Sequence, residues 1–202
     1  DLTEFMKPKR LNKPIALVGG GPNLKNHLEE LRKFKVIMCC GSPNDFLMEN
    51  GIIPTYSVIC DPDPLGINYY KKLDTETKYL IATSSDEKII NHFEGKQLIL
   101  WHCHSDDYMN KEITGMEKLE ENYQAIGGGC TVGLRSLSMA LMVGYNNIHL
   151  FGFDSCLSTS ENVVIGIIEF ISDIDTSILS EVQILYVLKT SLVFDTEVIS
   201  EV

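Results

Sequence analysis

Two glycine-rich turns, Gly19-Gly20-Gly21-Pro22-Asn23 and Gly127-Gly128-Gly129-Cys130-Thr131, are the places where this sequence is best equipped to hold an anion. Each precedes a segment of helical period. Glycines let the backbone turn sharply with N–H groups uncovered, and a helix N-terminus adds partial positive charge, so a phosphate suits both. The first turn is not a dinucleotide fingerprint, because the third glycine of G-x-G-x-x-G would fall on Leu24, and no G-K-[ST] occurs to make a P-loop. The plainer reading of the first is a tight strand-to-helix turn capped by Asn23. That of the second is close helix packing with Thr131 as an ordinary cap. Two such turns at one sheet edge would face a ligand from two sides, which favours binding.

Carboxylates and histidines stand at other strand ends. Asp61-Pro62-Asp63-Pro64 places two carboxylates one residue apart, a spacing that could hold Mg²⁺ against a diphosphate, with Asp61 the better ligand. The alternative is a proline-stiffened turn in which Asp63 caps the next helix. His102-Cys103-His104, with Asp106 and Asp107 beyond, offers a general base or a metal ligand, against surface histidines on a loop. Alternation puts His102 and His104 on one face and Cys103 on the other. Asp154, in Gly152-Phe153-Asp154, could contact a ribose or a metal, or cap a turn.

The elements that must position these groups follow from the apolar pattern. Ile15 to Val18, Val36 to Cys40, Tyr56 to Cys60, Tyr79 to Ala82, Leu98 to Trp101 and Ile148 to Phe151 are short runs rich in β-branched or aromatic residues. Stretches of helical period alternate with them. Leu24, Leu28 and Leu31 predict a crossover helix after the first strand, and Leu134, Leu137 and Leu141 predict one from about Thr131 to the turn at Gly144. The fold expected is α/β, a Rossmann-like three-layer sandwich with a mostly parallel sheet of about six strands. Residues 1–156 form its nucleotide-binding domain. In the tail, 157–202, eight acids face one lysine, Lys189, and no glycine or proline follows Gly166. Its Ile, Val and Leu residues show no sustained period, which leaves a helix pair, an added strand with helices, or a homo-oligomer contact.

Composition narrows the partners. A chain of 202 residues, 44% hydrophobic, can bury one sizeable core. Its formal net charge of -11 argues against nucleic acid or an anionic membrane surface as partner, since both need a basic face. No apolar run reaches the roughly 18 residues of a membrane span, and residues 1–13 lack the apolar core of a signal peptide, so a cytoplasmic protein is expected. The six cysteines show no zinc-site or disulfide spacing and read as reduced core thiols.

Leu17-Val18-Gly19-Gly20-Gly21-Pro22-Asn23-Leu24 resembles the "VGaGPSL" opening of the family once called domain of unknown function 115. That family includes motility-associated-factor glycosyltransferases and 6-hydroxymethylpterin pyrophosphokinase-like (MptE-like) enzymes of archaea. Asn50 to Pro54 through Cys60 to Pro64 looks like its "kGI.Pd..v..Dp" segment, and Gly128 to Asp154 like its "GgsV...al.lA..lGf..I.l.G.D" segment. The same opening and closing segments are similar to bacterial sialyltransferases that use a CMP-sugar. The resemblance implies nucleotide contacts at Gly20, Gly21, Pro22, Asn23, Gly129, Cys130 and Thr131, and a polar or metal-binding role for Asp61; Gly19, Gly128 and Asp154, at the same turns and strand end, are expected to line the nucleotide as well. Gly20 stands where the sialyltransferases have asparagine, and Cys130-Thr131 where a serine pair is usual. Many relatives follow the "GfD" strand with a histidine-containing loop; here Asp154 leads into the acidic tail.

The resemblance thus implies a nucleotide-dependent transferase, glycosyltransferase-like and using a CMP-type sugar, with Asp61, His102 or His104 assisting. The alternatives are Mg²⁺-dependent pyrophosphoryl transfer from ATP to a pterin-like alcohol, Asp61 and Asp63 holding the metal, and a non-catalytic nucleotide-binding domain.

Overall fold

In a computed structural model, the structure describes residues 11–103, 125–127, 131–153 and 183–186. Its strands are β1 (Leu11–Val18), β2 (Ile37–Cys40), β3 (Tyr56–Ile59), β4 (Lys78–Ala82), β5 (Gln97–Cys103), β6 (Ala125–Ile126), β7 (Tyr145–Phe151) and β8 (Gln183–Tyr186). They form one sheet in the order β6-β5-β4-β3-β2-β1-β7-β8, with every neighbouring pair parallel. The six strands read from the sequence are all present, and the sheet is wider by two. β6 is only two residues long, too short to show a period. β8 comes from the acidic tail, so one of the three readings of that segment, an added strand, holds for residues 183–186.

Parallel strands covered on both faces are apolar throughout rather than alternating, and β2 (Ile-Met-Cys-Cys) and β3 (Tyr-Ser-Val-Ile) are buried at every position. One face carries the helix Val132–Met142. Its Leu137, Met139, Ala140 and Leu141 pack with Ile15, Leu17, Met38, Val58, Leu80 and Trp101. On the other face lie two clusters. The first joins Ala16, Val18, Leu24, Leu31, Cys39, Leu47 and Phe151; the second joins Ile59, Tyr70, Tyr79, Ile81, Ile89 and Phe93. Its helices are α1 (Leu28–Leu31), α2 (Asn44–Glu49) and α3 (Glu87–His92), so Val132–Met142 is α4.

The crossover after β1 differs from the expected continuous helix. Pro22–Asn26 is a 3-10 turn, His27 departs from helical dihedrals (φ -118°, ψ 11°), and only then does α1 form. The apolar stripe survives the break: Leu24 and Leu31 are buried and Leu28 packs against them. Two asparagines and a proline in five residues explain the break, since asparagine is a weak helix former and proline is tolerated only in the first turn. Gly21 is the N-cap and Pro22 follows it, so Asn23 does not cap; its Oδ1 instead accepts from Asn26 Nδ2 at 3.4 Å.

The strand order puts the chain reversal beside β1. From β1 the chain runs outward through β2 to β6, then returns through α4 to β7 on the far side of β1. Open α/β sheets bind ligands at the carboxyl ends of the strands flanking such a reversal.

Candidate functional site

β1 and β7 end side by side at this reversal, and their glycines fix how closely. Gly19 N–H donates to Phe151 O at 2.8 Å and Gly21 N–H to Gly152 O at 2.7 Å. A Cβ on Gly19 would lie 2.6 Å from Gly152 O, so the two backbones touch where no side chain fits. The expectation of an uncovered glycine backbone is corrected here: two of the three N–H groups are spent joining β1 to β7. Gly20 is the exposed residue of the three. The position its Cβ would take is 2.5 Å from Ser42 Oγ, at the end of the neighbouring strand β2. Ser42 was not among the residues singled out from the sequence, although Gly41-Ser42 follows a strand just as the first glycine turn does.

The start of α4 approaches from the other side. Thr131 Oγ1 accepts from Leu134 N–H at 3.3 Å, so Thr131 is the helix N-cap; the hydroxyl proton stays available to a ligand. Val132 Cγ1 lies 3.3 Å from the Cβ position of Gly41, whose φ of 77° places it in the left-handed region. Phe153 joins the first turn to α4: its ring is 3.3 Å from the Cβ position of Gly19 and 2.8 Å from that of Gly133. The first glycine turn and the start of α4 therefore meet through Phe153, and Gly41-Ser42 touches both, at Gly20 and at Val132. Gly133 and Phe153 were also missed in the sequence, where neither belongs to a phosphate motif.

Two strands over, the turn after β3 uses its carboxylates locally. Asp61 Oδ1 accepts from Asp63 N–H at 2.9 Å, and Asp63 Oδ1 accepts from Leu65 N–H at 2.9 Å, capping the 3-10 turn Pro64–Tyr69. The capping role weighed for Asp63 holds. Both residues are exposed. Carboxylate oxygens are donors of the kind Mg²⁺ takes, and a cation held by two of them would keep most of its waters. Among the described residues no group of three or more His, Cys, Asp or Glu could hold a metal ion. With strands about 4.8 Å apart, Asp61 stands on the order of 10 Å from the first glycine turn.

The ends of β4 and β5 add hydroxyls and thiols. His102 Nδ1 lies 2.8 Å from Thr83 Oγ1, and partial burial pushes the imidazole below its ordinary pKa, keeping it neutral at pH 7. Cys103 faces the α4 side, as alternation predicts. Its Sγ is 3.5 Å from Cys60 Sγ and 3.7 Å from Ser84 Oγ. Hydrogen bonding from Cys60 lowers the Cys103 thiol to about 6, aided by Ser84 and by the charge of Arg135, while burial opposes the shift. Cys60 moves up in return. The reading of all cysteines as core thiols holds for buried Cys39 and Cys40, whereas Cys60 and Cys103 are half-buried. His104, Gly128, Gly129, Cys130 and Asp154 lie outside the described residues. Among the described residues no helix is long and apolar enough to cross a membrane.

Among solved structures, the chain is similar to a MAf glycosyltransferase from Magnetospirillum magneticum AMB-1, with TM-score 0.59 and 19% identity over 74% of this chain and 24% of that one. It thus spans about a quarter of that protein's length, and the likeness is one of fold. It also matches a mammalian sialyltransferase in complex with Gal-beta-1-3GalNAc-ortho-nitrophenol, with TM-score 0.47 and 13% identity over 92% of this chain and 76% of that one. No curated protein matches the chain. A family model described as 6-hydroxymethylpterin diphosphokinase MptE-like matches residues 1–160, and the chain belongs to that MptE-like family.

Proposed function

We propose that the chain is a nucleotide-dependent transferase of the glycosyltransferase kind, taking its donor from a CMP-type nucleotide sugar. The observation that carries this reading is the meeting of the Gly19–Gly21 turn with the N-terminus of α4 through Phe153, and with Ser42 beside Gly20, at the β1/β7 reversal. A phosphate placed there faces Gly20, the Ser42 and Thr131 hydroxyls and the positive end of an 11-residue helix. Those groups stabilise the charge that grows on the phosphate as the bond between sugar carbon and phosphate oxygen breaks. The acceptor oxygen forms the new bond to that carbon and gives its proton to a base, Asp61 or neutral His102. The activity belongs in the cytoplasm, where reduced thiols persist.

A second reading is transfer of a diphosphoryl group from ATP to a pterin-like alcohol. The family description favours it, as does the Asp61/Asp63 pair. Mg²⁺ held there would neutralise charge on the transferred phosphates.

Thermal melting with CMP, UDP, ATP and AMP, with and without Mg²⁺, separates the readings. At a hundredfold excess over Kd, a ligand stabilises by about 2.7 kcal/mol, roughly 5–10 °C here. A shift with CMP that ignores Mg²⁺ and is lost in Gly20→Ala supports glycosyl transfer. A shift with ATP that requires Mg²⁺ and is lost in Asp61→Asn supports diphosphoryl transfer. No shift with any of the four sinks both.

A further inference from the structure

Cys60 and Cys103 sit at the ends of β3 and β5, on either side of β4, and their sulfurs are 3.5 Å apart. That is contact distance, with roughly 1.5 Å left to close to a disulfide bond of about 2.05 Å. Three features make this pair unlike the other two described cysteines. Both thiols are half-buried where Cys39 and Cys40 are buried. Ser84 Oγ lies 3.7 Å from Cys103 Sγ and can donate to a thiolate there. Arg135, on the first turn of α4, donates through Nη1 at 2.7 Å to the carbonyl of Ile126, the ladder partner of Cys103. Ala82, the last residue of the intervening strand, belongs to the buried cluster against which both cysteines pack, and its small side chain lets them meet. Cys60 lies one residue past the ordered end of β3, beyond the last ladder pair at Ile59, so its backbone is free of the register that holds the strand.

We propose that Cys60 and Cys103 form a reversible disulfide at the carboxyl edge of the sheet by exchange with low-molecular-weight disulfides. The Cys103 thiolate attacks one sulfur of the reagent, forming a mixed disulfide and expelling one thiolate. That thiolate, or solvent, takes the Cys60 proton. The Cys60 sulfur then attacks the mixed disulfide at Cys103 and expels the second thiolate, which is protonated. Two protein thiols are oxidised and one reagent disulfide is reduced to two thiols. Two strands one apart in a sheet are about 9.6 Å apart, more than the Cα span of a disulfide, so bridging shifts Cys60, which lies past the β3 ladder, over the end of β4 towards Cys103. Asp61, the chain neighbour of Cys60, moves with it.

The test uses the full chain, native, with oxidised glutathione, followed by acid quench, alkylation, proteolysis and mass spectrometry. The expected result is a Cys60–Cys103 cross-linked peptide and a loss of two free thiols from the six, both reversed by dithiothreitol. Cys60→Ser should accumulate glutathione on Cys103, and Cys103→Ser should slow the reaction at Cys60 at least tenfold. The wild-type cross-link map needs no variant to fold. Absence of the cross-link overturns the proposal, as does oxidation confined to Cys130 or Cys156. The readout is covalent and independent of nucleotide binding, so its failure leaves the transferase reading untouched.

Discussion

Cys103 is the residue whose chemistry the fold changes most. An acid depressed from 9.0 to about 6 on folding contributes stability that is fully present above the unfolded value and is lost as pH falls from about 9 towards 6. Its reactivity follows the same titration. Alkylation of native Cys103 by iodoacetamide should show a midpoint near 6, and Cys60→Ala should move that midpoint upward by removing the first cause of the shift. A native midpoint at the unfolded value would refute the pairing. None of this is legible in the sequence, where Cys60 and Cys103 stand 43 residues apart and only the sheet order brings them together. His102 was legible as a strand-end histidine; its partner Thr83 was not, because the pair crosses between β4 and β5.

At the level of elements, α4 does two things at once: it covers one face of the sheet and aims its N-terminus at the β1/β7 reversal. Thr131→Ala should cost about 1 kcal/mol through the lost cap, a fall of roughly 2–4 °C in Tm, with the helix otherwise intact. If Thr131 also contacts the ligand, the variant should lose nucleotide-induced stabilisation beyond this baseline fall. Equal ligand shifts in variant and wild type would confine Thr131 to capping. The long elements were readable because a leucine at every third or fourth residue, or a run of Ile, Leu and Val, leaves one solution for burial. The segment after β1 was misread because its leucine spacing satisfies a helix while Pro22, Asn23 and Asn26 disfavour one. Periodicity reports which side is buried, and local propensity decides how the backbone gets there. The glycine turn was recognised, but hydrogen bonds from Gly19 and Gly21 to β7 depend on a strand more than 120 residues later in the chain.

Across the whole molecule, charge is uneven along the chain: residues 157–202 hold eight acids and one lysine, which is seven of the net eleven negative charges. The same tail contributes β8, which pairs with β7 from Asn147↔Gln183 to Leu150↔Tyr186. Truncation after Cys156 bares the β7 edge, and unpaired edges recruit other chains. The truncated protein should melt lower and self-associate as concentration rises, seen by size-exclusion chromatography. A monomer with unchanged Tm would show that β8 adds nothing to the fold.

Phe153 leaves a constraint on how this sequence can vary. A Cβ at Gly133 would lie 2.8 Å from Phe153 Cε1, so a side chain there has to be matched by a shift of the ring, whereas position 19 is closed by backbone, with Gly152 O at 2.6 Å. Drift at 133 is therefore coupled to the packing at 153, while 19 is barred whatever stands at 153. Among descendants of this chain, side chains at 133 should accompany a smaller residue at 153 more often than phenylalanine.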